Sequence, residues 1–119
     1  MDAPSRTLVT GATGLLGSEL VRQLVEAGVP VRIFRRSSSD LSILGPLADD
    51  VEHAVGDLRD ARSLLQAMDG VSNVYHAAAR VTFGPGESRA LQEVNVYGTG
   101  NVVNAAHRSG VDRLVHTSS

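Results

Sequence analysis

The sequence contains no cysteine, which excludes a disulfide framework. It contains no lysine either, so all 11 of its lysine-or-arginine cations are arginine. No run of about 18 apolar residues is present, which excludes a membrane-spanning helix of ordinary length. The opening MDAPSRT carries neither the basic nor the apolar block of a secretory signal, and a cytoplasmic location is the expectation. The formal net charge is −2 and the arginines are scattered except for one cluster, so there is no basic field for nucleic acid. His53, His76, His107 and His116 fall on separate segments without ligand spacing, and no metal site is expected. Repeats, linkers and low-complexity tracts are lacking. What is present is a chain of 119 residues, 42% hydrophobic, with the composition of one globular domain spanning residues 1–119.

Short β-rich runs alternate with longer segments of helical period. Thr7 to Thr10, Val29 to Arg35, Val51 to Val55, Val74 to Ala77 and Leu114 to Thr117 read as strands. Leu16, Leu20 and Leu24 with Val21 and Val25 mark one helical face; Ala61, Leu64, Leu65 and Met68 mark a second. A third helix, from about Glu87 to Ser109, carries Leu91, Val94, Val102 and Ala106. Gly28, Gly70 and Gly110 follow the three helices where a left-handed residue would end each one. Alternation of strand and helix predicts a parallel βαβ sheet covered on both faces. Between the second and third strands, Asp40 is expected to cap a brief turn through Leu41 to Leu44, broken by Gly45-Pro46.

The stretch Thr10 to Gly17, TGATGLLG, places three glycines where the first strand gives way to the first helix. That junction presents free backbone N–H groups and the positive end of a helix dipole, a setting for an anion. Gly11 would permit the tight turn, Gly14 would let a phosphate approach the backbone, and Gly17 would let helix press on strand. The spacing is G-x-x-G-x-x-G, a partial match to the general dinucleotide fingerprint G-x-G-x-x-G. No Gly-Lys-Ser/Thr follows, so a Walker loop fits worse. A glycine-rich turn without a ligand is the competing reading.

With its leading threonine, TGATGLLG resembles the glycine motif of the extended short-chain dehydrogenase/reductase family. GDLRD at Gly56 to Asp60, the segment from Asp60 ending in His76-Ala77-Ala78-Ala79, Asn95-Val96-Tyr97-Gly98-Thr99 and the final RLVHTSS are similar to that family too. Within it, the pattern looks most like the dihydroflavonol reductase, 3β-hydroxysteroid dehydrogenase and epimerase/dehydratase branches. The resemblance implies an α/β Rossmann-type parallel sheet of about five strands in the order 3-2-1-4-5, with helices on both faces. It further implies that the chain stops before the substrate-binding region.

The resemblance assigns Thr10, Gly11, Thr13, Gly14, Leu15, Leu16 and Gly17 to cofactor binding. At the end of the second strand, where an NAD site carries an acidic residue for the ribose 2′-hydroxyl, this chain has Arg35-Arg36. A guanidinium pairs with a 2′-phosphate instead, so NADP is expected over NAD; the resemblance makes Arg35 the first contact and Arg36 the second, with Arg32 on the outer face. A solvated basic strand end is the competing reading. Asp57 and Leu58 would edge the adenine, or Asp57 would cap the helix that follows. Ala77, Ala78 and Ala79 would leave room for the cofactor, or reflect tight packing. Asn95 would hold a backbone carbonyl or a water near the fourth strand, or be an ordinary buried amide.

Family members use a serine or threonine with a Tyr-x-x-x-Lys pair. The resemblance places the hydroxyl at Ser119, with Ser118 second. Tyr75 and Tyr97 have no lysine to accompany them, so this stretch alone is not expected to run the family reaction. The implied activity of the intact protein is hydride transfer between NADP(H) and a carbonyl or secondary alcohol of a small-molecule substrate. A noncatalytic NADP-binding sensor or regulatory module is the alternative, and a homodimer is compatible with either.

Overall fold

The computed structural model describes residues 6–77 and 85–117, giving the backbone alone over 85–96 and at Thr117. Strands β1 (Arg6–Thr10), β2 (Val31–Arg35), β3 (Glu52–Val55), β4 (Val71–Ala77) and β5 (Arg113–Thr117) alternate with helices α1 (Leu15–Glu26), α2 (Ala61–Ala67) and α3 (Pro85–Ser109). A 3₁₀ segment, Ser42–Asp49, lies between β2 and β3. The strands form one sheet in the order β3-β2-β1-β4-β5. Every pairing is parallel. This is the order expected from the resemblance.

Alternate residues of a strand face opposite sides of a sheet. Leu8 accordingly joins one core with Phe34, Leu64, Met68, Val74 and Val102, beneath α2 and α3. Val9 joins another with Val21, Val31, Ile33 and Leu44, beneath α1 and the 3₁₀ segment. Both cores are built of apolar side chains, so burial of apolar area holds the layers together. Among the described residues no helix is long and apolar enough to cross a membrane.

Three glycines end helices as their positions predict: Gly28, Gly70 and Gly110 have φ of 80°, 76° and 73°. Other boundaries differ from the sequence reading for identifiable reasons. Val29 is not in β2, because its N–H closes the end of α1 by donating to Leu24 O at 3.0 Å. β4 starts three residues before Val74, since Val71 and Asn73 pair with Arg6 and Thr7 and the polar Ser72 and Asn73 hid a strand flanked on both sides. Asp40 Oδ1 does accept from Ser42 N at 2.9 Å. Gly45, at φ 54° and ψ −133°, is non-helical and breaks the turn as its position predicts, and a second short turn beyond this kink carries the segment on to Asp49.

Arg32 is the clearest correction. Expected on the outer face, its guanidinium donates from Nη1 to Ala67 O at 2.6 Å and to Asp69 O at 2.7 Å. It thereby caps the carbonyl end of α2, where a cation is favoured.

Candidate functional site

The carboxyl ends of β1, β2 and β3 open onto a cavity of about 420 Å³ lined by residues of the first strand-to-helix turn, the end of β2 and the segment after β3. Its wall contains Thr10, Gly11 and Thr13, Arg35 and Arg36, and Asp57 and Leu58. Seven residues singled out in the sequence on three separate segments therefore share one hollow. Gly14, Leu15, Leu16 and Gly17 form the adjoining start of α1 and do not line it. Leu15 and Leu16 are exposed, and Gly14 caps the helix without any side-chain hydrogen bond.

Two of the glycines are required by the protein's own packing. Gly11 has φ of 72°, and a Cβ there would sit 1.9 Å from Ala77 O. A Cβ on Gly17 would sit 1.9 Å from Gly11 O, so α1 rests directly on the turn. Ala77 is buried, and its backbone carbonyl lies against Gly11. Gly14 is different: its φ of −86° and ψ of 173° suit any residue. A Cβ there would meet only Gly11 O, at the ordinary distance of 3.5 Å.

The cavity rim is basic. Arg35 donates from Nε to His53 Nδ1 at 2.9 Å and from Nη1 to Arg36 O at 3.2 Å. The loop beyond is fastened by Arg36 N donating to Ser39 Oγ at 3.1 Å and Ser39 N to Arg36 O at 3.0 Å. Across the opening, Asp57 accepts from Arg59 Nε at 3.1 Å and Nη2 at 2.9 Å, and from Arg59 N at 2.9 Å. The side-chain and backbone hydrogen bonds from Arg59 bring the Asp57 carboxyl down to about 2, and keep it ionised.

Asp57 is not the cap of α2. That role belongs to Asp60, whose Oδ1 accepts from Arg62 N at 3.1 Å and Ser63 N at 3.4 Å. Leu58 is fixed from above by α3: its carbonyl accepts from Asn101 Nδ2 at 2.8 Å, and its side chain packs on Gly98. Asn101, not singled out in the sequence, thus holds a backbone carbonyl of the segment after β3. Asn95 lies in α3 with its side chain outside the described residues, as do Ala78, Ala79, Ser118 and Ser119 altogether.

Phe34, Ser39 and Arg59 also line the cavity and were not singled out in the sequence. Arg59 was visible inside GDLRD, one residue beyond the Asp57-Leu58 pair. Ser39 and Phe34 carried no distinguishing spacing.

Behind the glycine turn, His76 Nδ1 pairs with Thr10 Oγ1 on β1 and Nε2 with Thr99 Oγ1 on α3 at 3.0 Å. Its ring stacks on His116, the centroids 5.0 Å apart. Burial, and secondarily the neighbouring His116, lower its pKa to about 4, so the ring is neutral at pH 7. One ring nitrogen then donates and the other accepts, tying the base of the turn to α3. Among the described residues no cluster of His, Cys, Asp or Glu is placed to hold a metal ion.

A parallel sheet with crossovers on both faces, and a hollow at its carboxyl edge beside a glycine turn, defines the Rossmann-type class of nucleotide-binding folds. The model of the 3-beta hydroxysteroid dehydrogenase/isomerase family matches residues 8–119, and the chain belongs to that family. It is 52% identical over 113 residues to sterol demethylase protein B of Methylococcus capsulatus, a match covering 95% of this chain and 34% of that protein. It is 38% identical over 120 residues to a 3 beta-hydroxysteroid dehydrogenase/Delta 5-->4-isomerase of Mycobacterium tuberculosis, covering 96% and 31%. A short-chain dehydrogenase/reductase superfamily protein from Agrobacterium tumefaciens, solved with bound NAD, superposes with a TM-score of 0.75 at 37% identity, covering 96% and 32%. The chain spans about a third of the length of these relatives.

Proposed function

We propose that this chain is the cofactor-binding portion of an oxidoreductase that transfers hydride between NADP(H) and a carbonyl or secondary alcohol. The observation that carries the cofactor preference is that the pair Arg35 and Arg36 lines the same cavity as the glycine turn.

The residues present fit a dinucleotide. Gly14 is the test, because neither its backbone angles nor its surroundings require glycine. A ligand pressed against the backbone supplies the missing reason. The amides at the uncapped start of α1 and the dipole behind them favour its pyrophosphate. Leu58 and Phe34 offer the adenine an apolar wall, and Asp57 beside them accepts hydrogen bonds. When bound, NADP(H) supplies or takes up the hydride.

Arg35 and Arg36 meet the 2′-phosphate in this reading. A hydrogen bond to a charged group contributes roughly 1.5–3 kcal/mol, which corresponds to a ten- to hundredfold preference over NAD. Their cationic edge gives no comparable partner to a bare 2′-hydroxyl. The NAD bound in the Agrobacterium relative supports a nicotinamide dinucleotide here, and the arginines support the phosphorylated form.

The test is a titration of NADPH with the chain, followed by the cofactor's own fluorescence. Saturable enhancement that weakens at least about tenfold in Arg35→Ala supports the reading; an unaltered titration in that variant opposes it. Turnover by the whole protein with NADPH separates the oxidoreductase from a noncatalytic NADP-binding module.

A further inference from the structure

Among the described residues three arginines line the cavity, and they are held in three different ways. Arg59 is paired with the Asp57 carboxylate, so most of its charge is already answered. Arg36 is fixed through its backbone, by Ser39. Only Arg35, among the described residues of the wall, has its guanidinium oriented by a neutral side chain, His53.

The geometry dictates which form of His53 does this. Ile33 pairs with His53 and Arg35 with Val55 across β2 and β3, so His53 and Arg35 share a sheet face one strand apart. His53 Nε2 lies 2.7 Å from Ala48 O in the 3₁₀ segment, and a carbonyl only accepts, so Nε2 carries the hydrogen. Arg35 Nε only donates, so Nδ1 must be the bare, accepting nitrogen. The contact to Ala48 thus selects the tautomer that the contact to Arg35 requires.

We propose that His53 is a positioning residue that presets Arg35 for the 2′-phosphate, a role resting on the NADP reading above. A carboxylate at 53 would orient the guanidinium but neutralise it. An imidazole held in this tautomer orients it and leaves its charge for the ligand. With Nε on His53 and Nη1 on Arg36 O, the remaining N–H groups of the fork take no partner among the described residues and can form a bidentate pair with an anion. Much of the rotamer freedom of a long side chain is already lost before the ligand arrives, which reduces the ordering cost of binding.

The two nitrogens can be tested separately. In His53→Asn the amide oxygen takes the place of Nδ1, keeping the acceptor for Arg35 and losing the bond to Ala48. In His53→Gln the amide nitrogen takes the place of Nε2, keeping the bond to Ala48 and losing the acceptor. Calorimetric titration of wild type and both variants with NADP⁺ and NAD⁺ is expected to show an unchanged preference in His53→Asn. In His53→Gln the NADP⁺ affinity should fall roughly three- to tenfold while that for NAD⁺ stays constant. A retained preference in His53→Gln, or a parallel loss for both cofactors, would overturn the proposal while leaving the NADP reading intact. A wild-type chain that binds neither dinucleotide, or both equally, would overturn the two together.

Discussion

The carbonyl oxygen of Ala77 lies 1.9 Å from where a Cβ on Gly11 would stand, so the last residue of β4 and the first glycine of the turn touch backbone to backbone. Gly11→Ala must therefore displace main chain as well as adopt a φ of 72°. A cost of more than about 2 kcal/mol is expected, read from urea denaturation. Gly17→Ala, facing Gly11 O at the same 1.9 Å, should be similarly destabilising.

Gly14→Ala separates folding from binding. With no contact closer than 3.5 Å, the new methyl group should cost no more than the roughly 1 kcal/mol by which alanine is the poorer N-cap. Dinucleotide affinity should nevertheless drop by at least about tenfold, because the ligand then meets a side chain in place of bare backbone. Unfolding and titration measured on one preparation check both halves.

His76 makes stability depend on pH in a window of its own. Its folded pKa is lowered from 6.5 to about 4, so between those values the unfolded chain binds more protons than the folded one. Stability should be level above about pH 6.5 and decline as pH falls toward 4. Asp57 and Glu19 are depressed from 3.8 and 4.5 to about 2, so what they contribute is lost only below those values. Thermal unfolding from pH 7.5 to 4.5 should show the decline, and His76→Gln should flatten it.

Asp60→Ala removes the acceptor for the first amides of α2 and is expected to cost about 1 kcal/mol. Arg32→Leu leaves the Ala67 and Asp69 carbonyls without their donor and should cost about 1–3 kcal/mol. Chemical denaturation measures each against the parent chain.

The strands and the three glycine helix ends were legible because each rests on local rules, period and turn chemistry, and the glycine turn because of the carboxyl-edge geometry of parallel sheets; the placing of Arg35 and Asp57 beside it came from the family resemblance. Arg32 was misread because the pattern shows a residue's face and cannot show that the end of α2, 35 residues on, lies over it. Asp57 was offered as a helix cap since it precedes a helix, yet Asp60 stands closer to the first free amides and takes them. His53 and Asn101 stayed invisible for the same reason as Arg32. Their partners, Arg35 and Leu58, lie on other elements, and only packing brings them together.

The central claim is that the glycine turn and the arginine rim hold NADP. Calorimetric titration of this chain with NADP⁺ and NAD⁺ at one fixed salt concentration tests it most directly. The account predicts tighter binding of NADP⁺ by about ten- to hundredfold, falling to the NAD⁺ level in Arg35→Ala. Equal binding of the two cofactors, or a preference that survives loss of Arg35 and Arg36 together, would contradict it.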